Sequence, residues 1–320
     1  MTSPRILFVC DAGPGVGGGH VMRCLTLAGA LAEKGAGCAF VRTPEAADVL
    51  ARYAPDIPLA DEDAAADLVV LDSYRMAPAT EALWRERARR LAVIDDLARP
   101  HDADVVLDPS FGRETRDYAA SVVLAGPSYA LVRPAFAAAR VEALARRAGP
   151  ARRCLVSLGL TDVGGMTGRV AHALADSGLA LDVVVGAGAT SLPALETLAS
   201  GGRISLHVDT ADMAGLVTRA DVCVGAGGSS VWERACLGLP TVTLILADNQ
   251  RDMAMKLDAA GITLALDARW PGLEGRLSEA VDRLARDGAL RTGLSARSAE
   301  LCDGQGAQRA ADALIAALAR

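Results

Sequence analysis

The chain has no uninterrupted apolar run near the ~18 residues that cross a bilayer, although hydrophobic residues fill 51% of its 320 positions. No passage through a membrane is expected. Aromatic residues are scarce at 3%, and acids outnumber bases to give a net charge of −6. Both facts argue against a nucleic-acid groove, which needs clustered cations and stacking platforms. The seven cysteines include no C-x-x-C pair and lie mostly inside apolar stretches such as those around Cys154 and Cys223. They are expected to be reduced core residues, with no disulfide framework. The opening stretch MTSPRILFVCDAG shows no charged leader followed by a long apolar segment, so a cytoplasmic location is expected.

What the chain does have is alternation. Short β-branched runs at 6–10, 38–41, 68–71, 91–94, 105–107 and 122–124 are separated by Ala/Leu/Arg-rich stretches at helical spacing. This is the pattern of a parallel α/β sheet. A helical stretch over 135–148 stops at Gly149 and Pro150, after which a second series begins: 154–157, 181–185, 204–207, 222–224, 241–245 and 263–266. The spacing predicts two doubly wound domains, 1–149 and 150–320, facing one another. The last helix-forming stretch, GAQRAADALIAALAR, is free to pack against either domain, including back on the N-terminal one. Ligands of such sheets bind beyond the carboxyl ends of the strands, so the loops after each strand are the places to look for chemistry.

After the first strand stands GVGGGHVMRCLTLAGAL, Gly15 to Leu31. Gly13, Gly15 and Gly18 fit the G-x-G-x-x-G dinucleotide fingerprint, but the first acid after the next strand, Glu45, lies beyond the position of a ribose-binding carboxylate. A loop that admits a bulky ligand, with His20 in the first helical turn, fits better. His20 and Arg23 at i, i+3 share a helix face. Two readings are open: a proton-transfer and anchoring pair, or a helix-start residue and a surface charge.

The second half carries VCVGAGGSSVWERACLGLP. A strand runs into Gly225, Gly227 and Gly228, then Ser229 and Ser230, then a helix, which is the composition of a diphosphate cradle. Glu233 either accepts the hydroxyls of a ribose or closes an S-x-x-E capping box with Ser230. Asn249 and Gln250 in ADNQRDMA offer neutral donors and acceptors to a sugar, or cap the next helix. Asp95 and Asp96 raise a metal reading, but helix-start amides already serve the diphosphate charge, and Asp95 reads instead as a hydrogen-bonding partner of neighbouring loops. His101, Asp102 and Asp104 raise a second metal reading that lacks further ligands. His172 and His207 read as packing residues. No metal and no cofactor are expected.

G-x-G-H-x-x-R at Gly17–Arg23, DSY at Asp72–Tyr74, IDD at Ile94–Asp96, GPSYALVRPAF at Gly126–Phe136, GGSSVWE at Gly227–Glu233 and ADNQ at Ala247–Gln250 together resemble the nucleotide-sugar hydrolases of pseudaminic acid biosynthesis. The resemblance runs over nearly the whole chain. It implies the GT-B architecture, two Rossmann-like domains facing across a cleft. It also implies a UDP-sugar hydrolase acting on UDP-2,4-diacetamido-2,4,6-trideoxy-β-L-altropyranose. A Gly227–Ser230 segment suited to hold the diphosphate as leaving group then leads to the expectation of water attack at the anomeric carbon. His20 then matches the family's essential histidine, and Tyr74 and Asn249 match residues of the sugar site. Gly17, Gly19, Arg23, Asp72, Asp95 and Arg133 join them as substrate-binding positions. Gly159, Thr161, Asp162, Gly227, Gly228, Ser229, Ser230, Glu233 and Gln250 are the expected contacts on the nucleotide side. One loop departs from the family: GLTDV, 159–163, stands where a GGSDP-like stretch is usual. A glycosyltransferase using a related UDP-diacetamido sugar, or a non-catalytic nucleotide-sugar binder, remains the alternative. The expected partner is a small UDP-sugar, with neither nucleic acid nor membrane, and a monomer is compatible with the chain.

Overall fold

The computed structural model describes residues 3–13 and 18–319. Gly17, an expected contact, lies outside the described residues, as do Gly15 and the positions beside it. The first strands are β1 (Arg5–Cys10), β2 (Gly37–Val41), β3 (Leu59–Ala60), β4 (Ala66–Asp72), β5 (Ala88–Ile94), β6 (Val105–Asp108) and β7 (Val122–Ala125). The helices among them are α1 (Gly19–Glu33), α2 (Pro44–Tyr53) and α3 (Pro78–Arg85). The strands form one parallel sheet in the order β3-β2-β1-β4-β5-β6-β7. Along β1, Ile6 and Phe8 enter one core with Leu27, Leu31 and Phe40, while Leu7 and Val9 enter the other with Val69, Leu71 and Trp84. A strand buried on both faces reads as an unbroken apolar run, which is how β1 and β4 appear in the sequence.

The chain continues through α4 (Pro134–Arg146), β8 (Arg153–Ser157), α5 (Met166–Leu174), β9 (Ala180–Val185), α6 (Leu192–Ser200), β10 (Ile204–Val208), α7 (Met213–Arg219) and β11 (Val222–Ala226). It goes on with α8 (Ser230–Cys236), β12 (Thr241–Ile245), α9 (Asp248–Ala259), β13 (Leu264–Asp267), α10 (Leu273–Arg286), α11 (Gly288–Leu301) and α12 (Gly306–Leu318). The second sheet is also parallel, in the order β10-β9-β8-β11-β12-β13. Each sheet reverses its winding once, at β1/β4 in the first and at β8/β11 in the second. These are the switch points where open α/β sheets take ligands.

By packing, the chain divides into unit 1 (residues 1–133 with 304–320) and unit 2 (134–303). This division falls earlier than the Gly149–Pro150 break. The break does end a helix, but α4 is fastened to unit 2. Arg140 donates to the carbonyls of Cys236, Cys302 and Ala299, and buried Arg147 donates to those of Leu237, Ala220 and Val217. The last helix, α12, belongs to unit 1: Ala307, Ala310, Ala311, Leu314 and Ala317 lie in its core beside Leu27 and Leu31. Among the described residues no helix is long and apolar enough to cross a membrane.

Candidate functional site

At the switch point of unit 1, β1 and β4 run side by side with Cys10 opposite Asp72. Asp72 ends β4 fully buried, and α1 begins one connection after β1. The helix phase turns His20 and Arg23 inward together, and both are buried, at 4% and 7% exposure. His20 Nδ1 lies 2.5 Å from Asp72 Oδ1. Arg23 adds a two-pronged contact, Nε to Oδ2 at 2.6 Å and NH2 to Oδ1 at 2.5 Å. Burial opposes ionisation of Asp72, yet Arg23 and His20 hold its carboxyl well below the usual carboxylate range. An ionised carboxylate only accepts hydrogen bonds, so the imidazole proton is assigned to Nδ1 and the lone pair to Nε2. Such a histidine is fixed in tautomer and ring orientation, as a base must be.

Two further groups complete the cluster. Arg23 NH1 and the Tyr74 hydroxyl both donate to Asp96 Oδ2, each at 2.9 Å. The Tyr74 ring meets His20 edge to face with centroids 4.5 Å apart. His20, Arg23, Asp72 and Tyr74 are therefore brought together, and Gly19 opens the helix that carries the first two. The reading of Arg23 as a surface charge does not hold, because its guanidinium is spent on two buried or half-buried acids.

Asp95 is not in that cluster. Successive residues leaving a strand point to opposite sides, so Asp96 turns toward His20 and Arg23 while Asp95 turns away. Fully buried, Asp95 accepts from Arg99 Nε at 3.0 Å, the Arg99 amide at 3.0 Å and the Tyr118 hydroxyl at 2.8 Å. Arg99 in turn donates to the carbonyls of Ser73, Tyr74 and Met76, which clamps the loop that presents Tyr74. Behind it His101 places Nδ1 2.8 Å from Glu81 Oε1 and Nε2 3.5 Å from Asp95 Oδ2. Burial favours a neutral ring, but the two carboxylates push His101 up to about 9. The sequence offered Asp95 both as a substrate contact and as a hydrogen-bonding partner of neighbouring loops, and the second is the arrangement found. Asp96 and His101 stood out only as metal candidates, and Arg99 and Glu81 did not stand out at all. The two-residue period of the strand was the available signal for choosing between the acids.

In unit 2 the corresponding switch point joins the loops after β8 and β11. Gly227 is buried, Gly228 and Ser230 are half-buried, and Ser229 is exposed. Helical hydrogen bonding starts with the Val231 amide to Gly228 O and the Trp232 amide to Ser229 O, so the amides of 228–230 precede it. The N-cap of α8 is Ser229, in helical conformation and without a side-chain cap bond. The Ser230 hydroxyl accepts instead from Arg234 at 2.9 Å. The capping-box reading of Ser230 and Glu233 is thus not the arrangement found. Gln250 turns back to accept the Leu246 amide through Oε1 at 3.0 Å, and its Cβ would lie 3.1 Å from a methyl group on Gly227. Its first duty is closing the turn against the glycine loop. Asn249 is exposed in the first turn of α9.

Gly159 has φ of +105° and Thr161 is exposed, so both lie open in the loop after β8. Asp162 does not: at 1% exposure its carboxylate accepts the amides of Thr167 and Ser191, both at 2.9 Å, and the Ser191 hydroxyl at 2.6 Å. It shapes the loop from within. Arg133 is the half-buried last residue of the first segment of unit 1.

No family model matches the chain. A curated relative, the spore coat polysaccharide biosynthesis protein SpsG of Bacillus subtilis (strain 168), is 28% identical over 188 residues, 57% of this chain. The match spans about half of that relative, 54% of its length. Among solved structures, MurG of Acinetobacter baumannii superposes with a TM-score of 0.70 at 16% identity, covering 98% of this chain and 99% of MurG. LpCGTa, solved in complex with UDP, gives 0.70 at 14% identity over the whole of both chains. The calicheamicin glycosyltransferase CalG4 gives 0.61 at 18% identity, covering 100% of this chain and 99% of its own. The fold is the GT-B type, with two parallel Rossmann-like sheets. These findings overturn the expected UDP-sugar hydrolase: among the proteins of this architecture CalG4 is a glycosyltransferase, and a protein of Listeria monocytogenes, with a TM-score of 0.61 at 12% identity, is a putative UDP-N-acetylglucosamine 2-epimerase.

Proposed function

We propose that the chain is a glycosyltransferase of polysaccharide biosynthesis that uses a nucleotide-sugar donor. The observation that carries this reading is the buried His20–Asp72 pair at the β1/β4 switch point. In the proposed reaction, His20 Nε2 takes the proton of an acceptor hydroxyl while that oxygen bonds to the anomeric carbon. The bond between the anomeric carbon and the bridging oxygen breaks, and the oxygen leaves with UDP. Asp72 keeps the Nδ1 proton in place and balances the imidazolium as it forms. Tyr74 and Asp96 border the base, and Asn249 is assigned to the sugar.

The donor nucleotide is assigned to unit 2. The amides of 228–230, which precede the first helical hydrogen bonds of α8, and the hydroxyls of Ser229 and Ser230 suit a diphosphate, and Glu233, one turn into the helix, is assigned to the ribose. The complex of LpCGTa with UDP supports a uridine nucleotide, and the motif resemblance supports a diacetamido-trideoxy sugar on it. The test is UDP release from a panel of UDP-sugars with and without hydroxyl acceptors. Release that depends on acceptor supports transfer. Release at the same rate without acceptor, or none with any pair, overturns it.

A further inference from the structure

Arg234 stands in the middle of α8 at 4% exposure. Its NH2 donates to Ala226 O at 2.7 Å and its NH1 to Ser230 Oγ at 2.9 Å, while the buried Nε has no partner. Among the described residues no carboxylate forms an ion pair with it, unlike Arg23, Arg99 or Arg113. The guanidinium lies directly beneath the glycine loop: a Cβ on Gly225 would come within 2.5 Å of its central carbon. A side chain at position 225 would therefore displace the guanidinium from its place under the loop.

A buried charge without an ion-pair partner is costly. Arg147 offsets that cost with three carbonyls, whereas Arg234 has one carbonyl, one hydroxyl and an unpartnered Nε, an arrangement that an anion at the loop would stabilise. The hydroxyl of Ser230 shows where. Arg234 has only donors, so Oγ accepts from it and the hydroxyl proton must point to another acceptor. We propose that Arg234 is a positioning residue for a diphosphate: it sets Ser230 as an outward donor and supplies positive charge behind the Gly227–Ser230 loop. The inference rests on the donor reading above, in which that loop takes the diphosphate of a nucleotide.

The test compares UDP with uridine, titrated by NMR into the full chain and into the variants Arg234→Gln, Arg234→Lys, Ser230→Ala and Arg234→Gln/Ser230→Ala. Hydrogen bonds to charged groups are worth about 1.5–3 kcal/mol, which converts to a loss of roughly 10- to 100-fold. Arg234→Gln and Ser230→Ala are each expected to weaken UDP by that factor and to leave uridine unchanged. The double variant should lose less than the product of the two single effects, because one residue acts through the other. Arg234→Lys should recover part of the UDP affinity. Damage to the fold lowers both ligands together, so the ratio of the two affinities separates positioning from structure. Should Arg234→Gln not melt cooperatively, Ser230→Ala and Arg234→Lys carry the same comparison. An unchanged ratio in the folded variants overturns the role of Arg234 while the donor reading stands. Failure of the unaltered chain to bind UDP overturns both.

Discussion

At the residue scale the balance of buried charge decides what each side chain can do. Asp72 touches one histidine and one arginine, and only an ionised carboxylate serves both. Losing a positioned acid or base costs roughly 10²–10⁴-fold in rate. His20→Ala and Asp72→Asn are each expected to lower kcat by such a factor while UDP affinity, assigned to unit 2, stays the same. Steady-state kinetics beside a UDP titration checks this, and wild-type kcat in either variant refutes the base. His101 makes a prediction of a different kind. Its folded value is raised to about 9, against about 6.5 for a free histidine. A raised value gives stability that is fully present below pH ~6.5 and is lost as pH climbs through 9. Thermal melts should therefore show a falling Tm across that window, and His101→Gln should flatten the slope. The inward pair His20/Arg23 was legible from i, i+3 spacing, and DSY marked Asp72. Neither Arg99 nor Arg234 was legible, because a buried arginine carries the same letter as a solvated one until the fold shows what surrounds it.

At the element scale hydrophobic period did most of the work. The expected strand at 154–157 is β8, Arg153–Ser157, and that at 241–245 is β12 with the same bounds. Strands buried on both faces announce themselves as apolar runs. What escaped was β3, Leu59–Ala60, too short for any periodicity, and the allegiance of α4. A helix ending at a Gly-Pro break says where the chain turns but not which sheet the helix covers. That is settled by Arg140 and Arg147 reaching the carbonyls of unit 2. The docking of α12 depends likewise on one small residue. A Cβ on Gly306 would stand 2.3 Å from Ala130 O and 2.5 Å from its amide nitrogen, both backbone atoms that cannot swing aside. Overpacking of this kind costs typically about 1–3 kcal/mol. Gly306→Ala should thus lower Tm in calorimetry, whereas Gly275→Ala, with open space around the added methyl, should not. Equal melting of the two variants would refute the close approach.

At the scale of the whole molecule the two units differ in how the chain supplies them. Unit 2 is one unbroken stretch, 134–303, with its own core of Val156, Leu181, Val183, Val224, Leu244 and Leu277. Unit 1 is assembled from 1–133 and from 304–320, and its core includes five residues of α12. Burying Leu314 alone contributes roughly 1.5–3 kcal/mol, and the alanines beside it add to that. The net stability of a domain is only about 5–15 kcal/mol, so losing the helix removes a large fraction of it and bares Leu27 and Leu31. The expectation is asymmetric. Residues 134–303 expressed alone should melt cooperatively, and UDP at a hundredfold excess over Kd should add about 2.7 kcal/mol of stability. Residues 1–133 alone should show no cooperative melt until a peptide of residues 304–320 is added. A cooperative melt of 1–133 unaided would mean that α12 is an accessory to that core. A cooperative melt of 134–303 without any UDP shift would leave the fold of unit 2 intact and remove the donor nucleotide from it.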